Sequence, residues 1–498
     1  MAILTSLVCF ATAPVAFAPP PWADDDPRRA ELAQRLDDDH LARRIEQAVA
    51  RLDLSPLWQS YAGTGSLPHR PDLLLRAVLY EVQRGHHSPA AWHGHATEAE
   101  PVRWLLRGCT PSRSCWYAFR DRVAPFLDEC NRQVLHQAID HGLTPATRGA
   151  EDGTLVAANA SRHKMVNAAT LHKHAADLAA AVAADERAGT TPAVAAWMAQ
   201  TPVGRRTQQQ RMEQAQQRME ALQTRNRGKR SSKRRAADKV VVSVSDPEAV
   251  VGRDKEKVYR PLYNVQVVDD LDSPFVLGYE VFARQNDAGL LATMLARLQE
   301  GLGHPLRTLL ADTAYAGGAD LAAAARAGVT VYAPTPADGK KKEKQIPKSQ
   351  FHWLGAEETY RCPEGHRLVY EGSSRQKRSG TETVRLHSYR CPPTHCRACP
   401  LRQACTPNPE AGRSISRGEH EELIEALRAR MATAEAKGLY RRRSQTVELV
   451  NADWKEHRKL RRFSGRGLTR VRCQVGLVVL AHNLVTLLSE EKKAGRPT

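Results

Sequence analysis

The chain is poor in cysteine, which excludes a fold held together by disulfides. Only 10 of its 498 residues are cysteine, too few to staple a chain of this length. Five of the ten crowd between Cys362 and Cys405, a distribution that indicates metal binding rather than oxidation. This usage fits a reducing compartment, and we expect a cytoplasmic location.

Long apolar runs are also lacking, which argues against a membrane protein. A transmembrane helix needs about 20 consecutive apolar residues, and the nearest candidate, from Ala2 to Ala18, is too short. The same stretch could pass for a signal peptide ending in Ala16-Phe17-Ala18, but no Lys or Arg precedes it. We expect residues 1–24 to form an apolar, flexible tail and the protein to have no membrane partner.

Acidic side chains are outnumbered by basic ones. The chain has 55 Asp and Glu against 73 Lys and Arg, a formal net charge of +18, and such an excess favours a polyanionic partner. Because 42% of the residues are apolar, the chain can bury a large core, and disorder of the whole chain is excluded. Nucleic acid is therefore the leading class of partner.

The spacing of apolar residues is helical in the first part of the chain. Leu74, Val78 and Val82, for example, fall on one face of a helix that Pro71 begins. No internal repeat is evident. We expect an all-helical domain over residues 25–145.

From residue 146 onward, strand patterns alternate with helices. The strand-like segments lie at 149–159, 240–244, 263–268, 275–282 and 306–312. A helix is expected over 287–301, between the fourth and fifth of them. This order predicts an α/β fold with a mixed sheet covered by helices, extending over residues 146–498.

Two insertions interrupt the strand pattern. Residues 161–238 are polar and helical in spacing, and their second half is crowded with arginine. Residues 335–417 are rich in Lys, Cys and turn residues. Helical periodicity then returns over 419–437 and 444–488, and the end of the last stretch is apolar enough to be core.

Three acidic residues stand out by their surroundings. Asp152 and Asp312 each interrupt a strand-like segment of small or apolar residues, where a carboxylate is costly unless it meets a cation. Glu448 begins a helix amid basic residues. Three acids on separate elements are what hard cations such as Mg²⁺ require, since these take oxygen ligands and leave room for water and phosphate.

Other acids compete for these positions. Glu151 is next to Asp152, but strand alternation puts the two on opposite faces, so only one of them reaches the site. Asp453 and Glu456 compete with Glu448, yet each is at least one turn further along the helix. The pattern favours both as ordinary surface charges.

Several different short motifs are distributed along the chain from about Leu54 to Leu488. They are Arg70-Pro71-Asp72-Leu73-Leu74-Leu75, Arg103-Trp104-Leu105-Leu106-Arg107-Gly108, Glu151-Asp152-Gly153-Thr154, Ser245-Asp246-Pro247, Tyr263-Asn264-Val265-Gln266, Ala311-Asp312-Thr313-Ala314-Tyr315, Val447-Glu448 and Ala481-His482-Asn483-Leu484. Together they resemble the DDE transposases of bacterial insertion sequences. That family has a helical N-terminal domain and an interrupted ribonuclease H-like catalytic domain.

The resemblance implies a function and a set of catalytic acids. Asp152, Asp312 and Glu448 would be the DDE triad, holding Mg²⁺ or Mn²⁺. The enzyme would cut DNA at the terminal inverted repeats of its element and transfer the freed 3′-hydroxyl into target DNA. A homodimer is expected because two element ends must be cut together. The helical N-terminal domain would serve DNA binding or dimerisation, in a protein associated with the nucleoid.

The resemblance also implies residues that contact phosphate. Tyr440, Arg443 and Lys455 match the Tyr, Arg and Lys that flank the Glu in related transposases. Arg443, however, stands one residue further from Glu448 than the usual pattern, and Arg442 is its alternative. In the basic half of the first insertion, Arg230 and Arg234 are also expected to contact DNA.

The clustered cysteines have the spacing of a structural zinc site. The preferred ligands are Cys362, Cys396, Cys399 and Cys405, and Cys391 or His366 could replace one of them. The alternative is a reduced cluster without metal.

A second cluster contains His86, His87, His93 and His95. A short helical pair can expose several histidines without a ligand, so the sequence does not predict a metal there.

Two other functions share parts of this pattern. One is an inactive descendant that only binds DNA, and retention of all three acids argues against it. The other is a metal-dependent DNA nuclease on the same fold, which differs only in whether the freed 3′-hydroxyl is used.

Overall fold

The computed structural model describes residues 15–62, 65–188, 194–229, 231–335, 346–377 and 383–496. Its first part consists of helices joined by short turns. These are α1 (Pro27–Gln34), α2 (Leu41–Ala50), α3 (Ser55–Gln59), α4 (Pro71–Gln83), α5 (Pro89–Glu98), α6 (Glu100–Leu105), α7 (Arg113–Val123) and α8 (Leu127–Asp140). Helix α4 begins with Pro71 at its first turn, where a missing N–H costs nothing.

A six-stranded mixed sheet follows. Its strands are β1 (Arg148–Ala157), β4 (Val250–Arg253), β5 (Tyr259–Asp270), β6 (Val276–Phe282), β7 (Thr308–Leu310) and β8 (Thr330–Tyr332). Strand β1 is central: it pairs antiparallel with β5 and parallel with β7, which in turn pairs parallel with β8. The long β5 pairs on its outer side with β4 near its start and with β6 near its end. Helices α11 (Leu291–Leu302) and α12 (Gly318–Arg326) connect β6, β7 and β8.

The first insertion folds on its own small core. It contains β2 (Met165–Asn167), α9 (Ala168–Ala188), α10 (Pro202–Arg227) and β3 (Val241–Ser243), and β2 pairs with β3. Leu171, Leu178, Met212 and Met219 are buried between the two helices. The predominantly polar sequence therefore contains a narrow apolar stripe on each helix. This stripe is enough to pack the two helices against each other, but it leaves most of their surface exposed.

The Cys-rich insertion is a small β unit with short helices. It contains β9 (His352–Leu354), β10 (Thr359–Arg361), β11 (Val369–Lys377), β12 (Thr383–Arg390), α13 (Pro393–Ala398), α14 (Arg402–Cys405) and β13 (Ser414–Gly418). Strands β11, β12 and β13 form an antiparallel sheet. Its core combines aromatic side chains with buried cysteines. Residues 336–345 and 378–382 of this segment lie outside the described residues.

Four helices end the chain: α15 (Glu421–Ala432), α16 (Ala434–Arg441), α17 (Val447–Glu456) and α18 (Leu468–Lys493). The sequence predicts one helical stretch over 444–488, and this was wrong, because a turn over residues 457–467 separates α17 from α18. Lys459 and Gly467 have positive φ angles in this turn, which an α-helix does not allow.

The last helix joins both parts of the molecule. Helix α18 packs on α2, α4 and α8 and on strand β6. Buried apolar side chains of the N-terminal helices, of the six-stranded sheet and of α18 form one hydrophobic cluster, whose members range from Trp22 to Leu488. Among the described residues, α18 is long and apolar enough to cross a membrane, but 83% of its apolar window is buried inside the protein. The expectation that this helix is core is confirmed.

The predicted α/β class is confirmed. Four of the five predicted strand segments lie in the six-stranded sheet, whereas the segment expected at 240–244 is β3, which pairs with β2 in the first insertion. The segments expected at 275–282 and 306–312 correspond to β6 and β7. Of the expected apolar tail over residues 1–24, residues 1–14 lie outside the described residues.

A buried asparagine holds the sheet against α18. The Asn483 amide donates to the Val276 carbonyl and accepts from the Val276 N–H, both at 2.9 Å. Asn483 is fully buried. It therefore satisfies two backbone groups that β6 leaves unpaired on its outer edge.

We expect Asn483→Leu to lower the free energy of unfolding by about 3 kcal/mol, because both groups of Val276 lose their partner without access to water. Urea denaturation followed by circular dichroism measures this. The control, Thr486→Val on the same helix, should change it by less than about 0.5 kcal/mol. Equal effects of the two substitutions would contradict the role assigned to Asn483.

Candidate active site

Strand register brings the first two acids together. The pairing of β1 with β7 runs from Arg148 and Thr308 to Ala150 and Leu310. Two residues further along each chain, Asp152 lies on β1 and Asp312 lies just beyond the end of β7, where the two are close enough for their charges to interact. Asp312 caps the short 3-10 helix Thr313–Tyr315 and accepts the Ala314 N–H at 2.7 Å, so one of its carboxylate oxygens is oriented by the backbone.

The third acid comes from α17 and reaches the first through an arginine. The Arg443 guanidinium donates to Asp152 Oδ1 at 2.8 Å and to Glu448 Oε1 at 3.4 Å. It also donates to the Glu151 carbonyl at 3.2 Å. Only 10% of the Arg443 side chain is exposed, against 55% for Glu448. Arg443 therefore connects β1 to α17, and Glu448 remains accessible.

One face of α17 turns toward these acids. Asn451, one turn after Glu448, donates its amide to Asp152 Oδ2 at 3.0 Å. Lys455, a further turn along, lies close enough to Asp152 for their charges to interact. The spacing of 448, 451 and 455 is that of a single helical face, and this signal could have identified Asn451 from the sequence.

Two more residues complete the surroundings. Half-buried Tyr440 on α16 lies near Arg443 and all three acids, and burial raises the pKa of its phenol. Exposed Lys255, in the turn between β4 and β5, places a cation near Asp152. No sequence pattern marks Lys255, because only the tertiary fold brings that turn close to Asp152.

Burial dominates the electrostatics of Asp152. It raises the pKa of this carboxyl above the usual range, while the Arg443 and Lys255 cations lower it and Asp312 raises it again. Asp269, paired across from Ala150 on the same sheet face, is fully buried, and neither of its oxygens has a hydrogen-bond partner among the described residues. Burial raises the pKa of Asp269 well above its usual range, with Asp152 and Asp270 adding to the shift, so a cation bound beside these carboxyls would favour their charged forms.

The donor set fits a hard divalent cation. Asp152, Asp312 and Glu448 are all carboxylates, on three different elements, and Glu448 is open to solvent. Carboxylate oxygens are the ligands that Mg²⁺ and Mn²⁺ prefer. These three residues could hold such an ion.

Glu151 lies on the other face of the sheet, as strand alternation predicts. It is completely buried, and neither carboxylate oxygen has a hydrogen-bond partner among the described residues. Burial, with Asp320 and Asp287 nearby, raises its pKa well above the usual range. Burial therefore favours the neutral form of Glu151 in the folded protein.

The other competing acids are engaged elsewhere. Asp453 accepts from Arg458 at 2.9 Å, and Glu456 pairs with Arg461. Neither has a described contact with Asp152 or Arg443.

The proposed alternative to Arg443 points away from the site. Arg442 donates to the Leu271 carbonyl and to Asp272 at 3.2 Å. Exposed Arg234 donates to the Lys229 carbonyl at 2.9 Å, beyond the end of α10. Arg230 lies outside the described residues.

The cysteines of the second insertion converge. Cys362, Cys391, Cys396, Cys399 and Cys405 line one cavity of about 20 Å³, together with His366 and His395. All five thiols are free, and burial and the neighbouring thiols raise the pKa of Cys405. The geometry places Cys391, which the preferred quartet omits, in contact with Cys396. Among the described residues, no three of these sulfur and imidazole ligand atoms all lie within 4.8 Å of one another, so binding one metal ion would require the thiols to move closer together.

We expect Glu151→Gln to keep cation binding and to stabilise the protein at alkaline pH. A carboxyl whose pKa is raised by folding contributes stability that is present below its unfolded pKa, about 4.3, and is lost as the pH rises through its folded pKa. Glutamine copies the neutral form and removes this loss. Urea denaturation at pH 5 and pH 8 should show a smaller decrease for Glu151→Gln than for the wild type.

The matched control for this experiment is Asp152→Asn, the next residue on β1. It should abolish Mn²⁺ binding, followed by electron paramagnetic resonance, whereas Glu151→Gln retains it. Loss of Mn²⁺ binding in Glu151→Gln would show that the cation binds on the Glu151 face of β1 and not on the Asp152 face.

We expect Arg443→Gln to move the pH midpoint of Mn²⁺ binding upward by about one pH unit or more. An adjacent cation lowers a carboxyl pKa by about that amount, so without Arg443 the proton competes with the metal at Asp152 up to a higher pH. Arg442→Gln is the control and should leave the midpoint unchanged. Identical midpoints in the two variants would show that Arg443 does not tune Asp152.

Comparison with known families bears on the C-terminal part of the chain. Residues 361–488 match the family described as Transposase DDE domain. The matched segment contains Glu448, Lys455 and the five clustered cysteines, while Asp152 and Asp312 precede it. No curated protein and no solved structure matches the chain. The match over residues 361–488 confirms the resemblance and supports a DDE transposase.

Proposed function

We propose that this protein is the transposase of a bacterial insertion sequence, which cuts DNA at the ends of its element and joins the freed 3′-hydroxyl to target DNA. One observation carries the proposal: Arg443 donates to both Asp152 and Glu448, and Asp312 lies close enough to Asp152 for their charges to interact. The parallel β1 and β7 at the centre of a mixed sheet support the ribonuclease H-like fold that the resemblance implies.

Each acid has a distinct position in this proposal. Asp152 and Asp312 would hold divalent cations from the sheet, and Glu448 would complete the ligand set from the exposed start of α17. Mg²⁺ or Mn²⁺ bound there would supply positive charge for the attacking and leaving oxygens of a phosphodiester. Asn451 and Arg443 keep Asp152 oriented, and such fixed hydrogen bonds lower the cost of reorganisation during reaction.

The basic residues around the acids would receive the DNA backbone. Lys255 and Lys455 flank Asp152, and both are cations that can pair with phosphate. The loop after α10 extends this surface, since Arg235 donates to Tyr259 at the start of β5 at 3.1 Å. Arg234 belongs to the same loop and is proposed to contact phosphates there, as is Arg230, which precedes it in the sequence.

The arginines of α7 are less suited to reading DNA. Arg120 is buried and pairs with Asp121, and Arg122 stacks over the Tyr61 ring at 4.1 Å. Arg113, the remaining arginine of α7, is exposed, and the helical part over residues 25–145 is proposed to serve DNA binding or dimerisation.

The cysteine cluster is proposed to bind one structural Zn²⁺. Thiolates are preferred zinc ligands, and a closed set of four suits a structural rather than a catalytic ion. Cys362, Cys396, Cys399 and Cys405 remain the proposed ligands, with Cys391 able to replace one of them. A cytoplasmic location, where the thiols stay reduced, is part of this proposal.

The test is a cleavage and strand-joining assay with Mg²⁺ on DNA that carries the element's own ends. We expect Asp152→Asn, Asp312→Asn and Glu448→Gln each to reduce both reactions at least about a thousandfold, since each removes a negatively charged metal ligand, while DNA binding in a gel-shift assay persists. Glu456→Gln, two turns further along α17, is the matched control and should retain activity.

The other outcomes separate the alternative functions. Cleavage without joining would identify a metal-dependent nuclease on the same fold. Binding to DNA without cleavage by the wild type would identify an inactive DNA-binding descendant. Full activity of any of the three acid variants would contradict the assigned triad.

A further inference from the structure

A cluster of two histidines and a glutamate lies in the N-terminal helices, away from the acids on the sheet. Nδ1 of His86 and Nδ1 of His95 lie 2.8 Å and 2.7 Å from the same atom, Oε2 of Glu81. Each of the three residues offers one ligand atom, and these three atoms all lie within 4.8 Å of one another. Among the described residues, no other group of three His, Cys, Asp or Glu side chains does so. The sequence pattern showed the histidines but not the glutamate that gathers them.

The fold builds this cluster from three positions. Glu81 is in the last turn of α4, and Gly85, in the left-handed conformation, ends that helix. The His86 N–H then donates back to the Glu81 carbonyl at 2.8 Å. Helix α5 returns past the turn and brings in His95.

A hydrogen bond from a side chain of α5 holds the turn between α4 and α5 in place. The indole N–H of Trp92, a fully buried residue of α5, donates to the His86 carbonyl at 2.8 Å. His86 is therefore fixed on both sides by backbone bonds, and the ligand atoms do not depend on flexible side chains alone. A preformed set of ligands binds a metal without the entropic cost of ordering them.

The chemistry of the three groups specifies the class of ion. Two imidazole nitrogens and one carboxylate oxygen form a set that is typical of Zn²⁺ and related divalent transition metals, whereas Mg²⁺ prefers oxygen ligands alone. Only 2% of the Glu81 side chain is exposed, but the histidines are exposed by 36% and 32%. The buried carboxylate supplies the charge, and the open side leaves access for the ion and a water ligand.

The site adjoins the turn that follows α17. His87 donates from Nε2 to the Arg458 carbonyl at 2.5 Å, and the Ser464 hydroxyl donates to the His87 carbonyl at 2.7 Å. Arg458 in turn donates to Gln83 on α4. The α4–α5 turn is thus clamped to residues 458–464, directly after the helix that carries Glu448.

We propose that Glu81, His86 and His95 bind one divalent transition-metal ion, of the class of Zn²⁺. The ion fixes the α4–α5 turn and thereby supports the segment after α17. The site is independent of the acids on the sheet and of the cysteine cluster.

The test measures the metal content of the purified full-length protein after dialysis with Zn²⁺, by inductively coupled plasma mass spectrometry. Glu81→Gln and His95→Gln should each bind one equivalent fewer than the wild type. His93→Gln is the matched control on the same helix, because His93 contacts the Pro111 carbonyl instead, and it should keep the full content. Equal content in all four proteins would overturn the proposal.

Two further measurements separate this site from other causes. With Co²⁺, the equivalent lost in His95→Gln should lack thiolate charge-transfer absorption; loss of that absorption instead would assign the metal to the cysteines and overturn the proposal. The melting temperature of the wild type should rise with Zn²⁺ more than that of His95→Gln. A melting temperature that depends on pH but not on Zn²⁺ would reduce the cluster to a histidine–carboxylate contact.

Discussion

The ion pairs of Arg443 with Asp152 and Glu448 are the interaction on which the candidate active site depends. The sheet places several carboxylates in its interior, and Coulomb repulsion between them grows as water is excluded. The Arg443 cation offsets this repulsion at Asp152. Asp269 and Glu151, in contrast, are buried without a hydrogen-bond partner among the described residues. Because Arg443 also reaches Glu448, the same guanidinium that stabilises β1 positions α17.

The rest of the fold keeps β1 and α17 in place. Behind β1, Gln266 donates to Asp287 at 2.8 Å, and Gly153 leaves room for its amide, since a Cβ there would collide with it. In front, the turn after α17 is clamped to the α4–α5 turn. Helix α18, anchored to β6 by Asn483, joins the helical part and the sheet in one core. The N-terminal helices therefore support the site as well as forming a domain of their own.

The two clusters of metal-binding residue types have different surroundings. The cysteines lie in a small unit whose core is a few aromatic side chains, and such a unit gains much of its stability from a bound ion. Glu81, His86 and His95 surround a turn with two partly exposed rings. A bound ion would stabilise the small cysteine unit, and at the α4–α5 turn it would add a cross-link between two helices that are already packed in the core.

The sequence by itself determined the class of fold, the strand that carries Asp152, the strand that precedes Asp312, the face of α17 that carries Glu448, and the opposite placement of Glu151. Periodicity within a single strand or helix fixes each of these, because side-chain direction follows from backbone geometry. Only the tertiary structure decided that Arg443 rather than Arg442 contacts the acids, that Lys255 and Asp269 surround Asp152, and that Glu81 gathers two histidines. Those contacts join residues on different elements, and they depend on strand register and helix packing, which no local pattern contains.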